Sequence, residues 1–128
     1  MKIAGITRYL GLITRFLIPA LIAATPVVAA DWPVKPGDVP LTVAELDALA
    51  GQTLTFYDDG QAKFSAGGAY SYTYAGGDSA FGTYSIADDG SVCIAYRNGF
   101  SRCDLYVHSG ERLILIDQKG DRYPVRPE

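Results

Sequence analysis

The sequence predicts a mainly β protein: a small antiparallel up-and-down meander of about eight short strands, lipocalin-like, closing into a barrel and preceded by one short α-helix. Three observations predict it. From Thr53 onward apolar residues alternate with polar ones, the period of a half-buried strand. Glycine beside a polar residue interrupts this alternation at DDG, GG, GGDS, ADDG, RNG, HSGE and QKG, which is turn chemistry. No helical pattern separates the strands, so sequence neighbours pair antiparallel.

The elements follow in order. Residues 1–30 read as a signal peptide: Lys2, Arg8 and Arg15 precede the fifteen-residue apolar run FLIPALIAATPVVAA, which ends in small residues. The expected cut is after Ala30. A membrane span needs about 20 apolar residues, and Pro19 and Pro26 interrupt this shorter run. The expected location is therefore the periplasm or the medium, with the mature chain not membrane-embedded. That chain, residues 31–128, carries eight basic and fourteen acidic residues, a net charge of −6. Nucleic-acid binding rests on basic residues that neutralise phosphates, so this balance argues against it.

Residues 31–40, DWPVKPGDVP, hold Pro33, Pro36 and Pro40 and form an extended arm, with Trp32 a candidate plug. Residues 41–128 make a single domain. It opens with LTVAELDALAG, a helix with Thr42 as N-cap and Glu45 completing a capping box. Val43, Leu46, Leu49 and Ala50 form its apolar stripe, and Gly51 ends it.

The strands are TLTFY, AKFSA, AYSYTYA, AFGTYSI, SVCIAY, SRCDLYV, RLILID and DRYPV. Eight short strands enclose a barrel just wide enough to be filled by side chains or to hold one small ligand. Leu54, Phe56, Phe64, Phe81, Ile94, Leu105, Leu113 and Leu115 are the candidates to fill it, which favours a dry core. A curved, incompletely closed sheet with the helix over one mouth is the alternative.

Cys93 and Cys103 stand ten positions apart around Asn98-Gly99. A two-residue turn would gather Val92, Ile94, Tyr96, Cys103, Leu105 and Val107 on one face but separate the thiols. A three-residue turn with Gly99 in the left-handed region sets Cys93 opposite Cys103, yet places Val92 beside Asp104 and Ile94 beside Arg102. The register stays open, with a bulge able to reconcile the two patterns. An exported chain with two cysteines has one intramolecular pairing, so a structural Cys93–Cys103 disulfide is expected.

No catalytic residue, metal set or cofactor site emerges. His108 is the only histidine, beside Ser109, and neither Gly-x-Ser-x-Gly nor Ser-x-x-Lys occurs. Asp58-Asp59-Gly60 and Asp88-Asp89-Gly90 lack the rest of a calcium loop and read as hairpin turns. The one suggestive feature is AYSYTYAGG, which places Tyr70, Tyr72 and Tyr74 on one strand face as core, ladder or interaction strip.

LTVAELDALAGQTL, FGTYSIADDGSVCIAY, RCDLYV and GDRYPV together resemble small secreted alphaproteobacterial β-rich proteins grouped as a domain of unknown function. The resemblance spans about Leu41 to Val125 and implies export and a β-rich domain, with no activity to carry over. The expected function is an exported, monomeric, non-enzymatic binding or interaction domain whose partner is an envelope protein or a small ligand. A lipocalin-like carrier of a small apolar ligand is the alternative; it needs a cavity of a few hundred Å3.

Overall fold

The computed structural model describes residues 32–128, and the expected leader and its cleavage site lie outside the described residues. Nine strands form one antiparallel sheet: β1 (Asp38–Pro40), β2 (Thr53–Thr55), β3 (Gln61–Phe64), β4 (Ala69–Thr73), β5 (Ser79–Ile86), β6 (Val92–Tyr96), β7 (Ser101–Ser109), β8 (Arg112–Ile116) and β9 (Arg122–Pro124). β2 to β9 run as a meander in sequence order, so every connection is a hairpin. The sheet curls into a half-barrel whose two ends meet at a single bridge, Phe56 to Val125.

The arm is not only extended. Its last three residues are β1, which pairs with Val107, His108 and Ser109 of β7. β7 is nine residues long, and β6 covers only its first four, leaving that edge open for β1. Proline is tolerated at such an edge, where its missing N–H is not needed by a second neighbour.

Thr42 caps a five-residue helix, α1 (Val43–Asp47): its hydroxyl accepts from the Glu45 amide while Glu45 Oε1 accepts from the Thr42 amide at 2.9 Å. The apolar stripe is narrower than the sequence implies. Leu46 and Leu49 are buried, whereas Val43 and Ala50 are exposed, because one short helix offers a single line of contact to the sheet.

Pairing fixes the two faces of the sheet. Even-numbered residues from β2 to β7 point inward, and β8 joins them through Leu113 and Leu115. The main core lies on this inner face, where Leu46 and Leu49 pack with Leu54, Phe64, Val92, Ile94 and Tyr106. A second core lies on the outer face: Trp32 covers Leu105, Val107, Ile114 and Ile116, with Cys103 at its margin.

This second core settles the hairpin register. Cys93 stands opposite Cys103, Val92 opposite Asp104 and Ile94 opposite Arg102, and a disulfide joins the two cysteines. No bulge is needed in this ladder. Asp104, Leu105, Tyr106 and Val107 are buried in succession because each face of β7 has its own cover. Two expected barrel fillers are placed elsewhere. Leu105 lies in the outer core, and Phe81, odd-numbered on β5, is exposed with Arg97 5.4 Å over its ring. Among the described residues, no helix is long and apolar enough to cross a membrane.

Candidate functional site: an aromatic groove at one mouth of the half-barrel

The helix closes only one end of the inner face. Glu45 Oε2 meets His108 Nε2 at 2.6 Å and the Leu41 amide donates to the Tyr106 carbonyl, seating α1 against the C-terminal half of β7. At the other end the chain enters β3, β5, β7 and β9 and leaves β2, β4, β6 and β8. Residues from every one of these ends but that of β5 line a groove of about 750 Å3, where the sequence favoured a filled interior. Strand ends and turns around the mouth line it, and the helix does not cover it.

Tyr70, Tyr72 and Tyr74 share this face but sit at graded depth. Tyr70 is buried, Tyr72 is half-buried, and Tyr74, just past the end of β4, is 54% exposed. Tyr70 packs on Phe64 with ring centroids 5.2 Å apart and on Tyr96 at 6.1 Å; Tyr72 packs on Tyr74 at 5.0 Å. The three are thus core at one end and surface at the other.

Gly82 makes the deep part of this arrangement. It lies between Tyr70 and Tyr96 in the ladder, one strand from each. With no side chain between them, the two rings lean together across β5. A Cβ at Gly82 would lie 2.2 Å from the Ala95 carbonyl oxygen, so the close approach of β6 excludes any other residue. Gly60 does similar service for Tyr72, whose hydroxyl would be 2.0 Å from a Cβ there.

One ion pair lies in this aromatic floor. Arg102 donates from Nε to Asp104 Oδ2 at 3.0 Å and from Nη2 to Oδ1 at 2.8 Å. The Asp104 side chain is 7% exposed and that of Arg102 is 40% exposed, so the carboxylate is shielded while the guanidinium reaches the groove. Burial holds the Asp104 carboxyl above its ordinary value even with Arg102 against it, and Asp117 adds to the rise. Burial also raises the Tyr70, Tyr72, Tyr96 and Tyr106 hydroxyls, Asp58 adding to the shift at Tyr72. At neutral pH these four phenols are uncharged donors.

The rim is aromatic and acidic. Tyr57, Tyr74, Phe100 and Tyr123 line the groove and are each more than 40% exposed, from 43% at Tyr123 to 67% at Phe100. Asp58 and Asp117 stand in the β2–β3 and β8–β9 turns. The sequence pattern assigns no site role to Tyr96, Phe100, Arg102 or Asp104. Their signal was present: Arg102 and Asp104 are two apart and so share a strand face. It reads as a conflict of register when the strand is given a single buried face.

The remaining candidates have structural partners. The Asp89 Oδ1 atom accepts from the Ser91 amide and hydroxyl, and Oδ2 from Trp32 Nε1 at 3.1 Å; Asp58 Oδ1 accepts from the Gly60 amide at 2.9 Å. Both triplets are hairpin turns. Among the described residues no group of three or more His, Cys, Asp or Glu side chains is placed to hold a metal ion.

The fold and groove define a small disulfide-bonded antiparallel half-barrel with one open aromatic mouth. Comparisons with protein-family models, with curated proteins and with solved structures find no match to this chain, so none of them adds to the resemblance seen in its motifs.

Proposed function

We propose that this chain is an exported, non-enzymatic binding domain that engages its partner through the groove at the open mouth. The observation that carries the reading is the rim: four large aromatic side chains stand exposed around a concave surface of about 750 Å3 floored by tyrosines. Exposed aromatics grouped around a concavity are costly to leave in water and are typical anchors of interfaces. The groove lies at the mouth that the helix leaves uncovered, which suits a protruding segment of another protein. Export is supported by the basic and apolar pattern of residues 1–30 and by the Cys93–Cys103 disulfide, since such bridges persist in oxidising compartments. The periplasm is the compartment proposed.

Photo-crosslinking in the exporting host tests the reading. A photoreactive phenylalanine analogue at Tyr74 or Phe100 is expected to yield a discrete cross-linked product. The same group at Val43, exposed on the helix at the other end, is expected to yield none. Equal yields from all three positions, or none from any, would overturn the proposal.

A carrier of a small apolar ligand is the second reading, favoured by one observation. The groove volume falls within the ~300–1,000 Å3 of small-molecule sites. Native mass spectrometry of the purified protein separates the two: a bound mass that leaves on denaturation favours the carrier.

A further inference from the structure

The charges in the groove narrow the chemistry of what it takes. Three carboxylates line it, Asp58, Asp104 and Asp117, against two cations, Arg102 and Lys119. These do not contribute equally. Arg102 is held by two hydrogen bonds to Asp104, so that pair is neutral as a unit. Lys119 Nζ leans toward Asp121 Oδ2, 3.7 Å away. Asp58 and Asp117 remain, with no cation against either side chain among the described residues. Each uses Oδ1 to hold its own turn: Asp58 accepts from the Gly60 amide, and Asp117 from the Lys119 and Asp121 amides at 3.0 and 2.9 Å. The second oxygen of each carboxylate is left over. Both fields reach the floor, since Asp58 acts on the Tyr72 hydroxyl and Asp117 on the Asp104 carboxyl.

Aromatic rings complete the picture. The faces of Tyr and Phe rings carry partial negative charge and attract cations over them. Tyr74 is exposed beside Tyr72, and Phe100 beside Tyr96, with ring centroids 5.0 and 6.5 Å apart. An apolar ligand would use such rings but has no use for two uncompensated carboxylates, and an anionic one would be repelled by them.

We infer that the occupant of the groove is a basic segment of a partner protein, with Lys or Arg side chains entering between the rim aromatics toward Asp58 and Asp117. This rests on the reading of the groove as a partner site and adds the partner's chemistry. The rest of the mature chain acts in the same direction. Eight basic against fourteen acidic residues give it a net charge of −6, which speeds encounter with a basic partner.

The test uses residues 31–128, isotope-labelled with the disulfide formed, and three synthetic peptides. All have the same length and the same apolar residues, and carry Arg, Ser or Glu at alternate positions. The Arg peptide is expected to shift the amide resonances of Tyr57, Asp58, Tyr74, Phe100 and Asp117. The Ser peptide should bind about tenfold more weakly and the Glu peptide more weakly still. Raising the salt concentration from low to about 0.5 M should erase most of the Arg preference.

The double variant Asp58→Asn/Asp117→Asn removes the charge and keeps an Oδ1 acceptor for each turn. It is expected to bind the Arg peptide about as weakly as wild type binds the Ser peptide. An unchanged spectrum away from the groove, at Trp32 above all, reports that the variant is folded. If the Ser or Glu peptide binds the groove as tightly as the Arg peptide, the inference of a basic partner falls and the groove reading stands. If millimolar Arg peptide shifts no groove resonance, the inference falls as well. Cross-linking from Tyr74 and Phe100 then decides whether the groove reading falls with it.

Discussion

The two faces of β7 are built from one stretch of backbone and serve opposite ends. Its odd residues, Cys103, Leu105 and Val107, point outward into a dry cluster sealed by Trp32. Its even residues, Arg102, Asp104 and Tyr106, point inward, from the floor of the open groove to the core under the helix. The outer face is apolar at its centre, where Leu105 and Val107, with Ile116 of β8 beside them, are fully shielded from solvent. The inner face keeps a charged pair and uncharged phenols next to a concavity. A strand alternates its side chains between faces at every residue, so stability and recognition can interleave along one strand. Substitutions on the two faces are therefore expected to separate. Leu105 and Val107, which do not line the groove, should move stability and leave groove binding alone; even positions at the groove should do both.

The largest expected effect is on the outer face. Leu105→Ala removes a fully buried side chain from a core with little else to fill the gap, and should lower stability by about 3–4 kcal/mol. Chemical denaturation checks the loss. Peptide binding by the fraction still folded should be unchanged, and a matching loss of binding would break the separation of the faces. Next comes the bridge between β6 and β7. Replacing Cys93 and Cys103 together by Ser reopens a short loop in the unfolded chain and should lower the stability by about 2–3 kcal/mol. Adding reductant to wild type should have the same effect and none on the double variant.

The inner face gives a smaller loss with a pH signature. Arg102→Leu leaves the Asp104 carboxylate shielded and without its partner, at a cost of about 2 kcal/mol at pH 7. Burial already holds the Asp104 carboxyl above its ordinary value, and losing Arg102 raises it further. A group whose folded value is raised favours the folded state at low pH and loses that contribution as pH rises through the folded value. The deficit of Arg102→Leu should therefore shrink as the pH is lowered from 7 through the folded value of Asp104 in the variant. A deficit that stays constant would mean that lost packing, and not the stranded carboxylate, carries it.

The same two faces explain what the sequence could and could not show. Alternation and glycine turns locate all eight meander strands, because those signals are local. The register of the Cys93–Cys103 hairpin is not local. The apolar pattern argues for the wrong register only if β7 has a single buried face, and its second cover, Trp32, comes from 71 positions upstream of Cys103. Phe81 was open to correction from sequence alone. It and Tyr84 are three apart on one strand, so they cannot both face inward, and Gly82 shares the parity of Tyr84. The graded depth of Tyr70, Tyr72 and Tyr74 was not legible. Alternation gives them one face, but their exposure depends on which mouth the helix closes. The groove exists for the same reason, since only tertiary closure decides which end of the half-barrel stays open.

The arm that bears Trp32 also carries the smallest effect and the cleanest test of the outer face. Asp38, at the start of β1, accepts from Arg122 Nη1 at 2.8 Å and Nη2 at 2.9 Å, and from the Lys35 amide at 2.7 Å. Its side chain is 1% exposed, so the pair ties the arm to β9 with little screening by water. The Arg122 hydrogen bonds hold the Asp38 carboxyl well below its ordinary 3.8, at about 2. A depressed carboxylate contributes stability above its unfolded value and loses it as pH falls through its folded value. Asp38→Asn should cost about 1–2 kcal/mol at pH 6. The gap from wild type should close as pH falls from about 4 to 2, where Asp38 protonates. Trp32 fluorescence should change in step, because the indole, which also donates to Asp89, loses one of the ties that seat it over Leu105 and Ile116. A variant as stable as wild type at pH 6 would show that β1 pairing alone holds the cover of the outer core, and a gap that persists well below the folded value of Asp38 would show that its contribution does not come from its charge.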